Sequence, residues 1–336
     1  MICTASRSPQ GKDLPSDNSK STTFGAKINT IIFSADGLIG ISHLGVILHL
    51  YSKLSNIFFQ NIKTFIGASI GSIWATLLSL QLQPKVIIDV FFNFLYKDLI
   101  QTQCDVSIKK FKEKWGVSEI KFDNFKYFLQ KYVNEQITVK QNILGCKSNQ
   151  SNTYGSLTFL QHKQIFNTHL IISTFNLQLG ALQQLDYINT PNLDIITALK
   201  MSTAIPGLLK PVTLAHDSYT YIDPIIVEKI PKVPVDLYYH NARTPKNVLI
   251  ISVNIEFNFI KSTRTRNTIF NYFTNILFET INASNNLRKL TEEQEGIHIK
   301  VDIKNHKKYF LKFEKEDLYE LIILGYFSSK KQNLPN

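Results

Sequence analysis

Gly67-Ala68-Ser69-Ile70-Gly71 sets a serine between two glycines, where a β-branched and aromatic run gives way to helical spacing. A serine on such a strand-to-helix turn has a chemical rationale. Small residues two places to either side let strand and helix approach closely, and the strained turn exposes the hydroxyl. The starting helix also aims free N–H groups and its positive dipole end at the serine oxygen, which favours an alkoxide. The same spacing arises when small residues pack a buried helix, so the pattern alone leaves both readings open. A nucleophilic serine needs a base. Among eight histidines, His240 follows Asp223 in a Ser…Asp…His order, but "LYYHNART" reads as a surface loop, and His43 falls inside a helix as a structural residue. The alternative is a carboxylate that bonds the serine directly.

The elements that must position this serine alternate. "INTIIFSADG" (28–37) reads as a buried strand entering a turn, and "LIGISHLGVILHLYSKLS" (38–55) as an amphipathic helix. "IKTFIGAS" is a second strand and "IGSIWATLLSLQL" a second helix. This order implies a parallel sheet with helices covering its faces. The uncharged run 64–84 is long enough to cross a bilayer. Its glycines, serines and glutamines and the closing Pro84 fit a strand and a buried helix better. Further along, 86–145 reads as mostly helical and "THLIISTFNLQ" (168–178) as a central strand. "DIITALKMSTAIPGLL" (194–209) is a helix stopped by Pro206-Gly207. "SYTYID" and "KNVLIISVNI" read as strands; "IFNYFTNILFETINASNNL" and "EKEDLYELIILGYFSSKK" read as late amphipathic helices.

Composition narrows the class. With 336 residues, 44% hydrophobic and 19% charged, the chain can bury a large core. A net charge of +11 favours an anionic partner, but the basic residues are scattered ("IKKFKEKW", "KNHKKYFLKFEK"), with no basic helix or aromatic-basic ribbon for nucleic acid. Three cysteines without a C-x-x-C pair argue against a disulfide framework or structural zinc and fit a reducing compartment. No carboxylate set has the spacing of a calcium site, and no cofactor is expected. Residues 1–27 read as a polar tail without the apolar core of a secretory signal. The expected location is intracellular and cytoplasmic, with peripheral membrane contact; the oligomeric state is not readable.

Four stretches in order, "FSADGLIGISHLGVI" (33–47), "FIGASIGS" (65–72), "MSTAIPGLLKPV" (201–212) and the residues from Tyr221 to Val235 around Asp223, resemble the patatin-like phospholipases. The resemblance covers about 28–328, with 329–336 as a flexible end, and implies a three-layer α/β/α sandwich with a mostly parallel central sheet. It further implies that Ser69 is the nucleophile and Asp223 its base. Gly67 and Gly71 would form the nucleophile elbow, and the N–H groups of Asp36, Gly37, Leu38 and Ile70 the oxyanion hole. The implied activity is a phospholipase A-type hydrolysis of fatty-acyl esters, with a phospholipid or other acyl lipid as substrate on a membrane surface, anionic by charge. The alternative is a degenerate patatin-fold protein that binds lipid without turnover.

Two departures motivate that alternative. The family's oxyanion loop, G-G-G-x-R-G, reads Ala35-Asp36-Gly37-Leu38-Ile39-Gly40 here. A carboxylate at Asp36 would oppose a developing oxyanion unless it points away, for example to cap the following helix; each lost donor there costs about 3 kcal/mol. In place of D-G-G or D-G-A stands Asp223-Pro224-Ile225. Proline fixes φ and lacks an N–H, so a turn needing a positive φ after the aspartate cannot form in the same way.

Overall fold

The computed structural model describes residues 28–54, 56–100, 119–143, 156–214, 218–234, 247–255, 296–303 and 315–332. The polar N-terminal stretch, His240 and the helix expected at 269–287 lie outside these residues.

Strand β1 (Thr30–Phe33) is followed by a 3₁₀ turn (Gly37–Ile41), α1 (Ser42–Lys53) and the short α2 (Asn56–Asn61). Strand β2 (Thr64–Ala68) leads within one residue into α3 (Ile70–Ser79). The chain continues through α4 (Pro84–Val90), a π-helical turn (Phe91–Leu95), α5 (Tyr96–Ile100), α6 (Asp123–Ile143) and α7 (Phe159–Phe166). Then come β3 (His169–Asn176), β4 (Ala181–Leu185), α8 (Ile195–Thr203), β5 (Val212–Thr213) and β6 (Thr220–Ile222). Strands β7 (Val248–Ile255) and β8 (Ile297–Ile303) and helix α9 (Lys315–Lys331) complete the described chain.

The sheet runs β5-β6-β3-β2-β1-β7-β8, with β4 also on β3. The β3-β2, β2-β1, β1-β7 and β7-β8 pairings are parallel; β4 and β6 join β3 antiparallel, and β5 joins β6 antiparallel. Side chains alternate, yet both faces are apolar, as in a sheet covered on both sides. Ile31, Phe33, Phe65, Leu170, Ile172, Leu249 and Ile251 join the large core containing the helices. Ile32, Ile66, Ile171 and Ile250 form a second cluster covered by Ile230 and Val233. This is the mostly parallel α/β arrangement that the alternation of elements implied.

Helix α3 lies wholly in the core; all ten of its residues are buried. That explains the uncharged run 64–84: it is a central strand and a short buried helix, and among the described residues no helix is long and apolar enough to cross a membrane. Helix α9 extends to Lys331, past the expected domain end at 328. Ser329 is buried and lies 2.8 Å from His49 Nδ1 on α1. Three strands escaped the sequence reading. Strands β4 and β5 have exposed or half-buried positions, and β8 has an alternating "IHIKVDI" pattern that could have revealed it.

The topology sets the site. From β1 the chain steps to β2 and β3 on one side, while β7 and β8 lie on the other, so the loop after β1 sits where the strand order reverses. In parallel sheets the strand C-termini at such a point form the usual crevice for chemistry.

Candidate active site

Ser69 is the single residue between β2 and α3, and reversing the chain there forces it to φ 53°, ψ −128°. An L-residue in such a conformation costs on the order of 1–3 kcal/mol and persists only where neighbours hold it. Here the Ser69 N–H donates to Ser202 Oγ at 2.8 Å, and Ser202 Oγ donates to Ser173 O at 2.7 Å. The Ser69 carbonyl accepts from Ser72 N at 2.9 Å and Ser72 Oγ at 2.5 Å. The flanking glycines are required sterically: a Cβ on Gly71 would stand 2.5 Å from Phe33 O, and one on Gly67 would run into the Gly71 carbonyl.

Asp223 reaches the serine along β3. Residues 172–176 of β3 pair with β4 on one edge; β2 (to Ser173) and β6 (from Phe175) must therefore share the other. Ala68 pairs with Ser173 and Ile222 with Phe175, so the residues that follow, Ser69 and Asp223, meet head to head. Ser69 Oγ donates a hydrogen bond to Asp223 Oδ2, joining residues 154 apart in sequence. Asp223 also caps a 3₁₀ turn, Pro224–Ile226, accepting from Ile225 N at 2.9 Å, while its own N–H donates to Ala204 O at 2.9 Å. Pro224 is the first residue of that turn, where a fixed φ and a missing N–H cost nothing. The turn differs from one built on glycine, and it still anchors the carboxylate. Burial pushes Asp223 up to about 7, against the hydrogen bonds from Ser69 and Ile225.

On the other flank, Gly37 takes φ 55° at the start of the 3₁₀ turn after β1. The first N–H groups of this turn, and that of Ile70 at the start of α3, have no acceptor within their own helices. Trp74 Nε1 donates to Gly40 O at 2.8 Å and ties the loop to α3. Asp36 does not cap the turn. Its buried carboxylate accepts from Ser34 Oγ and, at 3.3 Å, from Val253 N; it lies 2.9 Å from Lys229 Nζ and 3.1 Å from His43 Nε2. Burial alone would raise Asp36, but Lys229, then His43 and Ser34, hold it at about 2.

The family model of the patatin-like phospholipases matches residues 34–232, more than half of the chain and all of the loops just described. The chain belongs to this family. Two viral proteins are similar to part of the chain: a protein of Invertebrate iridescent virus 6 named probable lipid hydrolase 463L is 27% identical over 218 residues, 65% of this chain and 66% of that protein. An uncharacterized protein of Acanthamoeba polyphaga mimivirus is 24% identical over 194 residues, 58% of this chain and 57% of that one. The chain thus matches just under two thirds of the first and less of the second. Among solved structures, VipD from Legionella pneumophila superimposes with a TM-score of 0.56 at 15% identity, covering 91% of this chain and 66% of that one, which is a likeness of fold.

Within this patatin-like fold, the residues singled out from sequence converge. Ser69 and Asp223 are in contact, Gly67 and Gly71 pack the elbow, and the loop carrying Gly37 and Leu38 is fastened to α3 beside it. The side chain of Asp36 bonds neither member of the dyad; its partners are Ser34, His43, Lys229 and Val253. His43 is buried against Asp36 and the Phe33 ring, far from the role of a base for Ser69. Sequence reasoning gave no part to Ser202 or Lys229, although both lie inside quoted motifs. The serine of "STAIP" carried a usable signal, since a small hydroxyl residue beside a helix end often bonds backbone. Lys229 carried none, because its partner is remote in sequence. Among the described residues no group of three or more His, Cys, Asp or Glu could hold a metal ion. An open groove of about 440 Å³ is lined by Lys200, Thr203, Ala204, Leu209, Lys210 and Val212, among others; neither Ser69 nor Asp223 borders it.

Proposed function

We propose that this chain is a lipid acyl hydrolase of phospholipase A type that works through a Ser69–Asp223 dyad. The observation that carries the reading is the hydrogen bond from the strained Ser69 hydroxyl to a fully buried carboxylate held near neutral pKa. A general base does best when its pKa lies near the working pH. Family membership and the name of the iridescent virus protein support a lipid as the substrate.

In this mechanism Asp223 accepts the Ser69 proton as Ser69 Oγ attacks the acyl carbonyl. The tetrahedral oxyanion takes hydrogen bonds from N–H groups of Asp36, Gly37 and Leu38 and from Ile70, at the start of α3 where the helix dipole adds to them. The proton passes from Asp223 to the departing alcohol or lysophospholipid oxygen, leaving an acyl ester on Ser69. Water, deprotonated by Asp223, then attacks that ester; Ser69 Oγ recovers the proton and the fatty acid leaves. The net charge of +11 suits an anionic bilayer as the surface on which the substrate is met.

The test is covalent. A fluorophosphonate probe should add once to the wild-type chain by intact mass and not at all to Ser69→Ala. Hydrolysis of a phosphatidylglycerol vesicle should vanish in the same variant. A folded wild-type chain that takes no adduct in the presence of vesicles would sink the proposal.

A further inference from the structure

The two loops that depart from the family pattern are bonded to each other. The Ala35 N–H donates to Lys229 O at 2.7 Å, so the oxyanion loop is stitched by backbone to the segment following Asp223. Lys229 Nζ then reaches Asp36 Oδ1 at 2.9 Å and donates to Val253 O, while the Val253 N–H donates to Asp36 Oδ2 at 3.3 Å. Ser34 joins the same cluster from both ends, its Oγ donating to Asp36 and its N–H to Ile251 O at 3.1 Å. The carboxylate of Asp36 is fully buried and the Lys229 side chain is one-fifth exposed. A glycine at position 36 could make none of these side-chain bonds.

Oxyanion donors act by staying where they are aimed. A glycine-rich loop must be held by its surroundings; this loop carries its own handle. We propose that Asp36 and Lys229 are a positioning pair: their buried ion pair clamps the oxyanion loop to the segment carrying Asp223 and to β7, and so holds donors, serine and base in register. Neither side chain touches the reacting atoms. The pair also gives the Asp36 carboxylate a counter-charge of its own, which removes its threat to a neighbouring oxyanion. The catalytic consequence rests on the dyad reading above; the clamp itself does not.

The experiment uses the full chain as wild type, Lys229→Met, Asp36→Asn and the double variant. It reads amide hydrogen exchange by segment and the rate of fluorophosphonate labelling. In Lys229→Met, exchange over 34–41 should quicken by about tenfold or more, while α6 (123–143) stays as in wild type. Labelling should slow on the order of 100-fold, as expected for a misplaced loop. The double variant should label at least about tenfold faster than Lys229→Met, because no buried carboxylate is left without its counter-charge.

Unchanged exchange over 34–41 would overturn the clamp, whatever the labelling rate. An even rise across the whole chain would also overturn it, because Lys229 would then be a general stabiliser. A double variant no faster than Lys229→Met would overturn the pairing. Should Lys229→Met fail to fold, Asp36→Asn and the double variant carry the comparison. The pairing then predicts that removing Lys229 adds less than about threefold, and about tenfold or more overturns it. Failure of the dyad reading looks different: the wild type takes no label while exchange still responds to Lys229→Met, which keeps the clamp and removes its catalytic effect.

Discussion

Two aspartates, both shut away from water, sit on either flank of Ser69 and are shifted in opposite directions from the ordinary carboxylate value. Asp223 is raised to about 7 and Asp36 is held at about 2. Burial pushes both upward, so burial is not what separates them. Asp36 faces the ammonium of Lys229, whereas among the described residues Asp223 has neutral donors, the Ser69 hydroxyl and the Ile225 N–H. In the proposed mechanism the carboxylate that takes a proton is the one without a described cation, and the one proposed to hold a loop has one. The difference lies first in Lys229, with His43 and Ser34 adding to it, and it can be broken from either end.

The largest effect should come from removing the base. Asp223→Asn is expected to slow labelling of Ser69 by about 10²–10⁴-fold. The same substitution should raise the melting temperature at pH 8, since it removes a buried charge that lacks a cation. Asp36→Asn should move stability the other way, because Lys229 loses its counter-charge. Thermal melts of both variants at pH 8 check the contrast; two shifts of the same sign would erase it.

Proton linkage sharpens it further. With Asp223 as base, the labelling rate should climb as pH rises through about 7 and then level off. Its raised pKa means that the folded chain binds more protons between about pH 4 and 7, so this group's contribution to stability falls as pH rises through that window. Asp36 has the opposite sign. Its stabilisation is present above the ordinary carboxylate range and is lost as pH falls from about 4 toward 2. A melt series for wild type, Asp223→Asn and Asp36→Asn would separate the two slopes.

The proposed dyad was easier to find from sequence than the proposed clamp, for physical reasons. Ser69 announces itself locally, because a one-residue reversal between strand and helix demands small neighbours within two positions on each side. Asp223 was reachable only through the resemblance; its contact with Ser69 depends on β2 and β6 sharing an edge of β3, which no local pattern encodes. The substitution at Asp36 was visible, but its meaning was not. Its partners, Lys229 and Val253, come from distant segments that only the folded sheet brings together. The strands β1, β2, β3 and β7 were legible as β-branched runs because both sheet faces are buried. The edge strands β4 and β5 were not, since most of their positions are exposed or half-buried and need no apolar pattern.

A smaller effect should come from the support of the elbow. Ser202→Ala leaves the buried Ser69 N–H without its acceptor and frees Ser173 O, a cost of about 1–3 kcal/mol. Because that bond holds the strained residue itself, labelling should fall by about tenfold while the pH midpoint near 7 stays in place. A shifted midpoint would mean that Ser202 acts on Asp223 instead of on the backbone of Ser69.

The smallest effect belongs to Pro224, the second of the two departures visible in the sequence. The 3₁₀ turn it opens delivers the Ile225 N–H to Asp223, and proline at that first position fixes φ without forfeiting a bond. Pro224→Gly, which restores the family's residue, should leave the labelling rate within about threefold of wild type. It should lower stability by about 0.4–1 kcal/mol, through the added freedom of the unfolded chain. A large gain in rate would show that the proline restrains the site, and that the family's glycine supplies a turn this one cannot replace. A large loss would show that the fixed φ holds Asp223 against Ser69, so that the base depends on its turn as the oxyanion loop depends on Lys229.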